Sequence, residues 1–175
     1  MNIQDVILGF LYEEPMSGYD IKQMMENSVS YFFDASFGAI YPALRKMEKE
    51  GLVEKQVIQQ DGKPNKNLFV ITESGKEQFQ HYLTSPINPT ITRSDVLIRI
   101  FFGRFTTKEK IIEWLEGERD KSQAMFDNLT RIAELFGSDM EHHKRFTLEF
   151  GIRQAEMILG MVDEELKKIN QQQGE

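Results

Sequence analysis

The run Ser36-Phe37-Gly38-Ala39-Ile40-Tyr41-Pro42-Ala43-Leu44-Arg45-Lys46-Met47-Glu48-Lys49-Glu50-Gly51-Leu52-Val53 decides the fold of this chain. Phe37, Ile40, Tyr41, Leu44 and Met47 recur at helical spacing and predict one apolar face. The opposite face starts with the small residues Ser36 and Ala39, with Ala43 one turn on, and finishes with Arg45, Lys46 and Lys49. A helix that is thin at its front and cationic at its tail can press its first turns into a DNA groove while its cations meet phosphate. Gly51 ends the helix and a β-prone run follows directly. Pro42 falls inside the predicted helix, where it would cost the hydrogen bond to residue 38. Because residue 38 is glycine, a kinked first turn is expected and not a break.

Working outward, Ile3, Val6, Ile7, Phe10 and Leu11 predict a first helix over 2–13, ended by Glu14-Pro15. Ser17 supplies an N-cap for a second helix to about Asn27, with Asp20 placed in the first turn where the helix dipole favours a carboxylate. Tyr31, Phe32 and Phe33 read as aromatic plugs in a turn over 28–35. Strands are expected over 53–59 and 68–71, joined by a tip in which Asp61-Gly62 signals the turn and Pro64 keeps the tip from pairing. Thr72 caps a fourth helix to about Leu83. The order of helices followed by a hairpin predicts a winged helix-turn-helix over residues 1–85, and Thr84 to Pro89 is the proline-dense boundary.

Residues 90–175 read as helical throughout. One helix is expected over 92–104, a second capped by Thr106 and Glu109 and running to Phe136, and a third from the Gly137-Ser138-Asp139 bend to about Asn170. Leu148, Ile152, Ala155, Leu159, Val162 and Leu166 form a heptad seam on the last helix, and Phe146, Phe150, Met157 and Met161 form a second stripe beside it. Ile111, Leu115, Met125, Leu129, Ile132 and Phe136 make a seam on the penultimate helix, interrupted by Glu118 and Ser122. Too few helices are available to cover two stripes within one chain, so the seam is read as a homodimer surface. The fold class is therefore mainly α with a small β-hairpin wing: a winged helix-turn-helix plus a long-helix C-terminal dimerisation region.

The formal net charge of −7 excludes a general polyanion coat, but between Ser36 and Lys66 six cations oppose four carboxylates, a local excess of +2. A basic patch on an acidic body suits targeted contact with nucleic acid. The absence of cysteine removes disulfides, thiolate metal sites and cysteine nucleophiles. No signal-peptide pattern or apolar run of membrane-spanning length is visible, so a cytoplasmic protein without membrane partners is expected. No metalloprotease, phosphate-loop or nucleophile-elbow pattern occurs. No enzyme, cofactor or metal is expected, and His142-His143 reads as a solvated pair.

Several segments resemble the PadR-like family of transcriptional regulators. They are 7–11 (Ile-Leu-Gly-Phe-Leu), 15–21 (Pro-Met-Ser-Gly-Tyr-Asp-Ile), 38–44 (Gly-Ala-Ile-Tyr-Pro-Ala-Leu), 47–53, the wing triplet Gly62-Lys63-Pro64 and 71–75. The layout beyond residue 90 is similar to members with a virulence-activator-type helical region. The resemblance implies a dimeric winged-helix protein on double-stranded DNA, usually a repressor, released by a small aromatic or hydrophobic effector. The wing departs from the family pattern: Lys63 stands where arginine is common, Asn65 where a base is common, and Leu68-Phe69 where tyrosines are frequent. A lysine lacks the guanidinium fork, so phosphate anchoring is expected there and not base reading.

The DNA-contacting set expected from this reading is Tyr19, Ser36, Gly38, Ala39, Tyr41, Arg45, Lys46, Lys49, Lys63 and Lys66, on a pseudo-palindromic operator. Ser36, Gly38 and Ala39 are expected closest to the bases. Arg45, Lys63 and Lys66 are expected on the backbone. Tyr19 is open between phosphate contact and packing, and Tyr41 between core and DNA. The methionines are open between an adaptable ligand pocket and core filling, and Trp114 between a cavity lining and an anchor against the partner. The alternative function is a winged-helix protein-interaction module or a transcriptional co-activator without its own effector.

Overall fold

The computed structural model describes residues 2–33, 37–60 and 63–171, which form two compact units divided after Thr90. The first unit begins with α1 (Ile3–Glu13), closed by a capping box in which Asn2 and Asp5 exchange side-chain and backbone bonds. The same device starts α2 (Gly18–Ser28): the Asp20 amide donates to Ser17 Oγ at 3.2 Å, and the Ser17 amide donates to the Asp20 carboxylate at 3.0 Å. A 3₁₀ turn over Phe37–Ala39 feeds α3 (Ile40–Lys49). Pro42 is thus in the first turn of the α-helix, where backbone amides have no helical partner anyway. It starts the helix and does not kink its interior.

The buried face of α3 is Ile40, Ala43, Leu44 and Met47. This face is rotated from the expected one: Ala43, read on the outer side, is inside, and Tyr41, read at the edge of the inner side, is 55% exposed. Gly51 then adopts φ +71°, a left-handed conformation that glycine reaches without a Cβ clash, and turns the chain into the hairpin. Strand β1 (Val53–Gln60) pairs antiparallel with β2 (Lys63–Ile71), from Val53 opposite Ile71 out to Gln60 opposite Lys63. The wing is longer than expected, because Pro64 is accommodated inside β2 next to an irregularity between Ile58 and Gln60. Asp61 and Gly62 lie outside the described residues. A backbone bridge joins Met16 to Phe69, with Phe69 N donating to Met16 O at 2.8 Å, so the wing is stitched to the entry of α2. Thr72 caps α4 (Glu73–Thr84). Gly75 in its first turn is obligatory, since a Cβ there would lie 2.2 Å from the Leu52 carbonyl oxygen.

The second unit departs more from expectation. The helix foreseen over 92–104 is only α5 (Asp95–Phe101), capped by Ser94 and followed by a 3₁₀ turn over Gly103–Phe105. Gly103 is buried, and a Cβ there would crowd the Ile111 side chain at 3.1 Å. The cap of α6 (Lys108–Phe136) is Thr107, not Thr106. Helix α7 (His142–Gln171) returns antiparallel to α6 after the Gly137 bend. No helix among the described residues is long and apolar enough to cross a membrane.

Candidate nucleic-acid interface

The solvent side of α3 carries Pro42, Arg45, Lys46 and Lys49, all exposed, and Gly38 is exposed just before it. Ala39 is half-buried. Ser36 lies outside the described residues. The narrow, uncharged start and cationic end that the sequence implied therefore survive, with Pro42 taking the outward place assigned to Ala43. Lys46 is held loosely by Glu50 at 3.7 Å, with both side chains largely in water, so the pair constrains it little.

The flank of α3 nearest the wing is chemically denser. Tyr41, Arg45 and Glu48 line an open cleft of about 390 Å³ together with Ser17, Gly18 and Tyr19 at the start of α2 and Lys55, Asn65, Lys66, Asn67 and Phe69 of the hairpin. Three cations, two phenols and two carboxamides face one space. The start of α2 adds partial positive charge from its unpaired amides. Tyr41 reaches the cleft because Gly18 has no side chain: a Cβ there would come within 2.7 Å of the Tyr41 ring. The tyrosine lies flat against the first turn of α2 with its hydroxyl outward, and so contributes to the surface and not to the core. Tyr19 is exposed beside it, its hydroxyl accepting from Gln23 Nε2 at 3.1 Å.

Lys66 is drawn inward. Its ammonium lies 2.9 Å from the Asp20 carboxylate, tying the wing to the capping box of α2. Burial alone would push the Asp20 carboxyl up, but hydrogen bonds from Lys66 and from the Ser17 amide and hydroxyl, with the Lys66 charge, hold it below the ordinary carboxylate value. Lys66 is therefore a clasp between two elements of the interface and is partly neutralised by it. Lys63 is described only as backbone, at the outer end of β2. Lys55 was missed by sequence reasoning. The register places it opposite Phe69, on the strand face that turns toward α3; a correctly extended β2 would have revealed it. Glu48 was missed as well, an exposed carboxylate among the cleft's cations.

The residues read as a dimer seam are placed elsewhere by the fold. Leu148, Ala155 and Val162 are buried, and Ile152, Leu159 and Leu166 half-buried, along the face of α7 that meets α6 of the same chain. Leu115, Ser122, Leu129 and Ile132 are the buried positions of α6, so Ser122 continues the α6 seam instead of interrupting it. Arg119 and Asp163 close the hairpin at 2.9 Å. The second stripe, Phe146, Phe150, Met157 and Met161, remains exposed. Trp114 is half-buried, with the Arg99 guanidinium 5.5 Å from its ring centre. Among the described residues no group of three or more histidine or acidic side chains is placed to hold a metal.

Two family models match the chain. One, described as the transcriptional regulator PadR-like family, covers residues 7–81, and one described as virulence activator alpha C-term covers 92–170. A solved Streptococcus mutans protein, smu.1604c, is 36% identical with a TM-score of 0.89, covering 95% of this chain and 99% of its own. A PadR-like transcriptional regulator from Bacillus cereus is 31% identical with a TM-score of 0.87, covering 97% of this chain and 98% of its own. The negative transcriptional regulator PadR of Bacillus subtilis is 26% identical over 147 residues, which is 83% of this chain and 80% of that protein. Its structure in complex with operator DNA superposes with a TM-score of 0.79 at 21% identity, over 95% of this chain and 98% of that one, and it has also been solved with p-coumaric acid.

Proposed function

This chain belongs to the PadR-like family of transcriptional regulators, and from that premise we propose that it is a cytoplasmic, dimeric repressor that reads a pseudo-palindromic operator. Residues 1–85 bind the DNA and residues 90–175 hold two copies together. Gly38, Ala39 and Ser36 approach the base edges. Tyr19, Tyr41, Arg45 and Lys55 seat the sugar-phosphate backbone in the cleft between α2, α3 and the wing, with Lys46, Lys49 and Lys63 on flanking phosphates. Lys66 serves mainly to hold the wing in place. The observation that carries this reading is that the cleft and the outer face of α3 are contiguous through Tyr41 and Arg45. A two-fold dimer sets half-sites about one or two helical turns apart.

Mobility-shift titration against genomic fragments tests the proposal. Arg45→Ala weakens binding to every retained sequence and lowers the salt slope by about one, as expected for one lost phosphate contact. A bulky residue at Ala39 removes sequence preference instead. If the wild-type chain shows no preference among fragments at any salt concentration, it is a protein-interaction module and the proposal fails.

The effector class is a small aromatic or hydrophobic acid, in line with the compound bound to the Bacillus subtilis relative. Such a ligand acts by differential affinity for two dimer states. Saturating p-coumaric acid lowers operator affinity if this class is right, and unchanged affinity excludes that compound.

A further inference from the structure

Helix α5 has no buried residue at all. Leu97, Ile98, Phe101 and Phe102, with Phe105 in the turn that follows, are all exposed, Phe101 at 79% and Phe105 at 72%. This segment is almost wholly apolar, so water is a poor neighbour for it on every side. On α7, Phe146, Phe150, Met157 and Met161 form the second uncovered patch, each more than half exposed. Each patch has a charged rim. Around α5, Arg93, Arg99 and Arg104 against Asp95 leave an excess of two positive charges. Along the α7 stripe, Glu149, Glu156 and Glu164 against Arg153 leave an excess of two negative charges. Among the described residues Arg93, Glu149, Glu156 and Glu164 have no ion-pair partner, and Arg104 meets only the Phe105 ring, at 4.4 Å.

We propose that the α5 patch of one chain docks on the α7 stripe of a second copy and, by the two-fold axis, that the α7 stripe of the first receives α5 of the second. The inference rests on the dimer proposed above and specifies which surfaces make it. A two-fold interface can pair a patch with itself or exchange two patches reciprocally. Self-pairing brings two acidic rims together along α7 and two basic rims together along α5. Exchange sets each basic rim against an acidic one, and like-charge juxtaposition is what specific interfaces avoid. Exchange also covers both patches in one step. The two copies then form a single apolar layer with α5 as its lid.

The chain has no cysteine, so introduced ones report without background. Full-length Phe101→Cys and Met157→Cys variants are made separately, mixed, allowed to exchange and oxidised, alongside parallel pairs drawn from L97C and F105C with F150C and M161C. The proposal predicts disulfide-linked dimers in at least one mixed pair and little linkage in any variant alone, because symmetry keeps like cysteines apart. Linkage only among like variants overturns it. So does a sedimenting dimer in which no mixed pair links. A monomer at micromolar concentration overturns both this inference and the dimer it rests on, which separates the two failures.

Charge reversal supplies the second readout. E149R/E156R raises the dimer dissociation constant roughly tenfold, the scale of two weak surface pairs each counted twice, and adding R93E/R104E to the same chain restores it. Failure of the second pair of changes to rescue the first points to α7 packing on α7 and contradicts the exchange.

Discussion

The two units of this chain solve the burial problem differently. In the winged unit, α1, α2, α3 and the hairpin close on one cluster that includes Ile7, Leu8, Ile21, Met25, Ile40, Leu44, Met47 and Val53, each essentially removed from water. In the helical unit the buried apolar positions are Leu115, Leu129, Ile132, Leu148, Ala155 and Val162, a single seam between two long helices, while α5 buries none. A seam of that size holds a hairpin together but leaves most of its large side chains wet. The lesson is a division of labour: the winged unit is complete in one chain, and the helical unit is built to be completed by another.

The largest expected effect breaks the complete half. Leu44→Ala leaves a cavity in the winged core and costs about 2–5 kcal/mol, read as a lowered urea midpoint. The dimer dissociation constant stays where it was. The converse change is Met157→Asp on the exposed stripe. Each copy loses the burial of a methionine, about 1.5–3 kcal/mol, so the dissociation constant rises by two orders of magnitude or more while the winged unit unfolds at its usual denaturant concentration. If Met157→Asp instead destabilises the winged unit and spares association, the contrast between the units is drawn in the wrong place.

A smaller effect sharpens the interface. Gly18→Ala puts a methyl group where the Tyr41 ring now rests, and because that ring is the far end of a movable side chain, the fold adjusts. DNA affinity falls by about 1.5–3 kcal/mol, the worth of one hydrogen bond to a charged group, and Tyr41→Phe reproduces most of the loss without moving the ring. Full affinity in Tyr41→Phe removes the hydroxyl from the proposed contact.

The smallest effect is the clasp between Asp20 and Lys66. The Asp20 carboxyl is held below its ordinary value in the folded chain, so its contribution is complete above the unfolded carboxylate pKa and is lost as pH falls through the depressed folded value. Asp20→Asn costs less than about 1 kcal/mol near neutrality. The variant and the wild type converge in stability as the pH drops below about 4, and a gap that stays constant with pH contradicts the pairing.

Much of this architecture is written in local chemistry. Ser17 with Asp20, Thr72, Gly51 and the spacing of Ile40, Leu44 and Met47 each specify their element within a few residues, and the structure follows them. What escaped local reading was set by distant partners. Tyr41 falls outside the core because Gly18, on another helix, offers a flat seat. The expected single helix over 92–104 is cut because Gly103 must pass close to Ile111. The heptad seam on α7 carries no mark saying whether its partner is α6 or a second chain, and length alone favoured the wrong choice. Lys66 looked like a free cation until the fold brought Asp20 within 2.9 Å across 46 intervening positions of sequence. The cation missing from the expected site, Lys55, depended on a strand register that Pro64 had obscured.

The central claim, that two reading heads are carried by a helical unit completed by a second copy, is tested most directly by weighing the complex. Native mass spectrometry on one retained duplex, with protein titrated from below to above saturation, counts the chains bound. The account predicts two chains per duplex, appearing together, with the singly bound form scarce at every ratio. One chain per duplex at saturation, with full sequence preference retained, contradicts it.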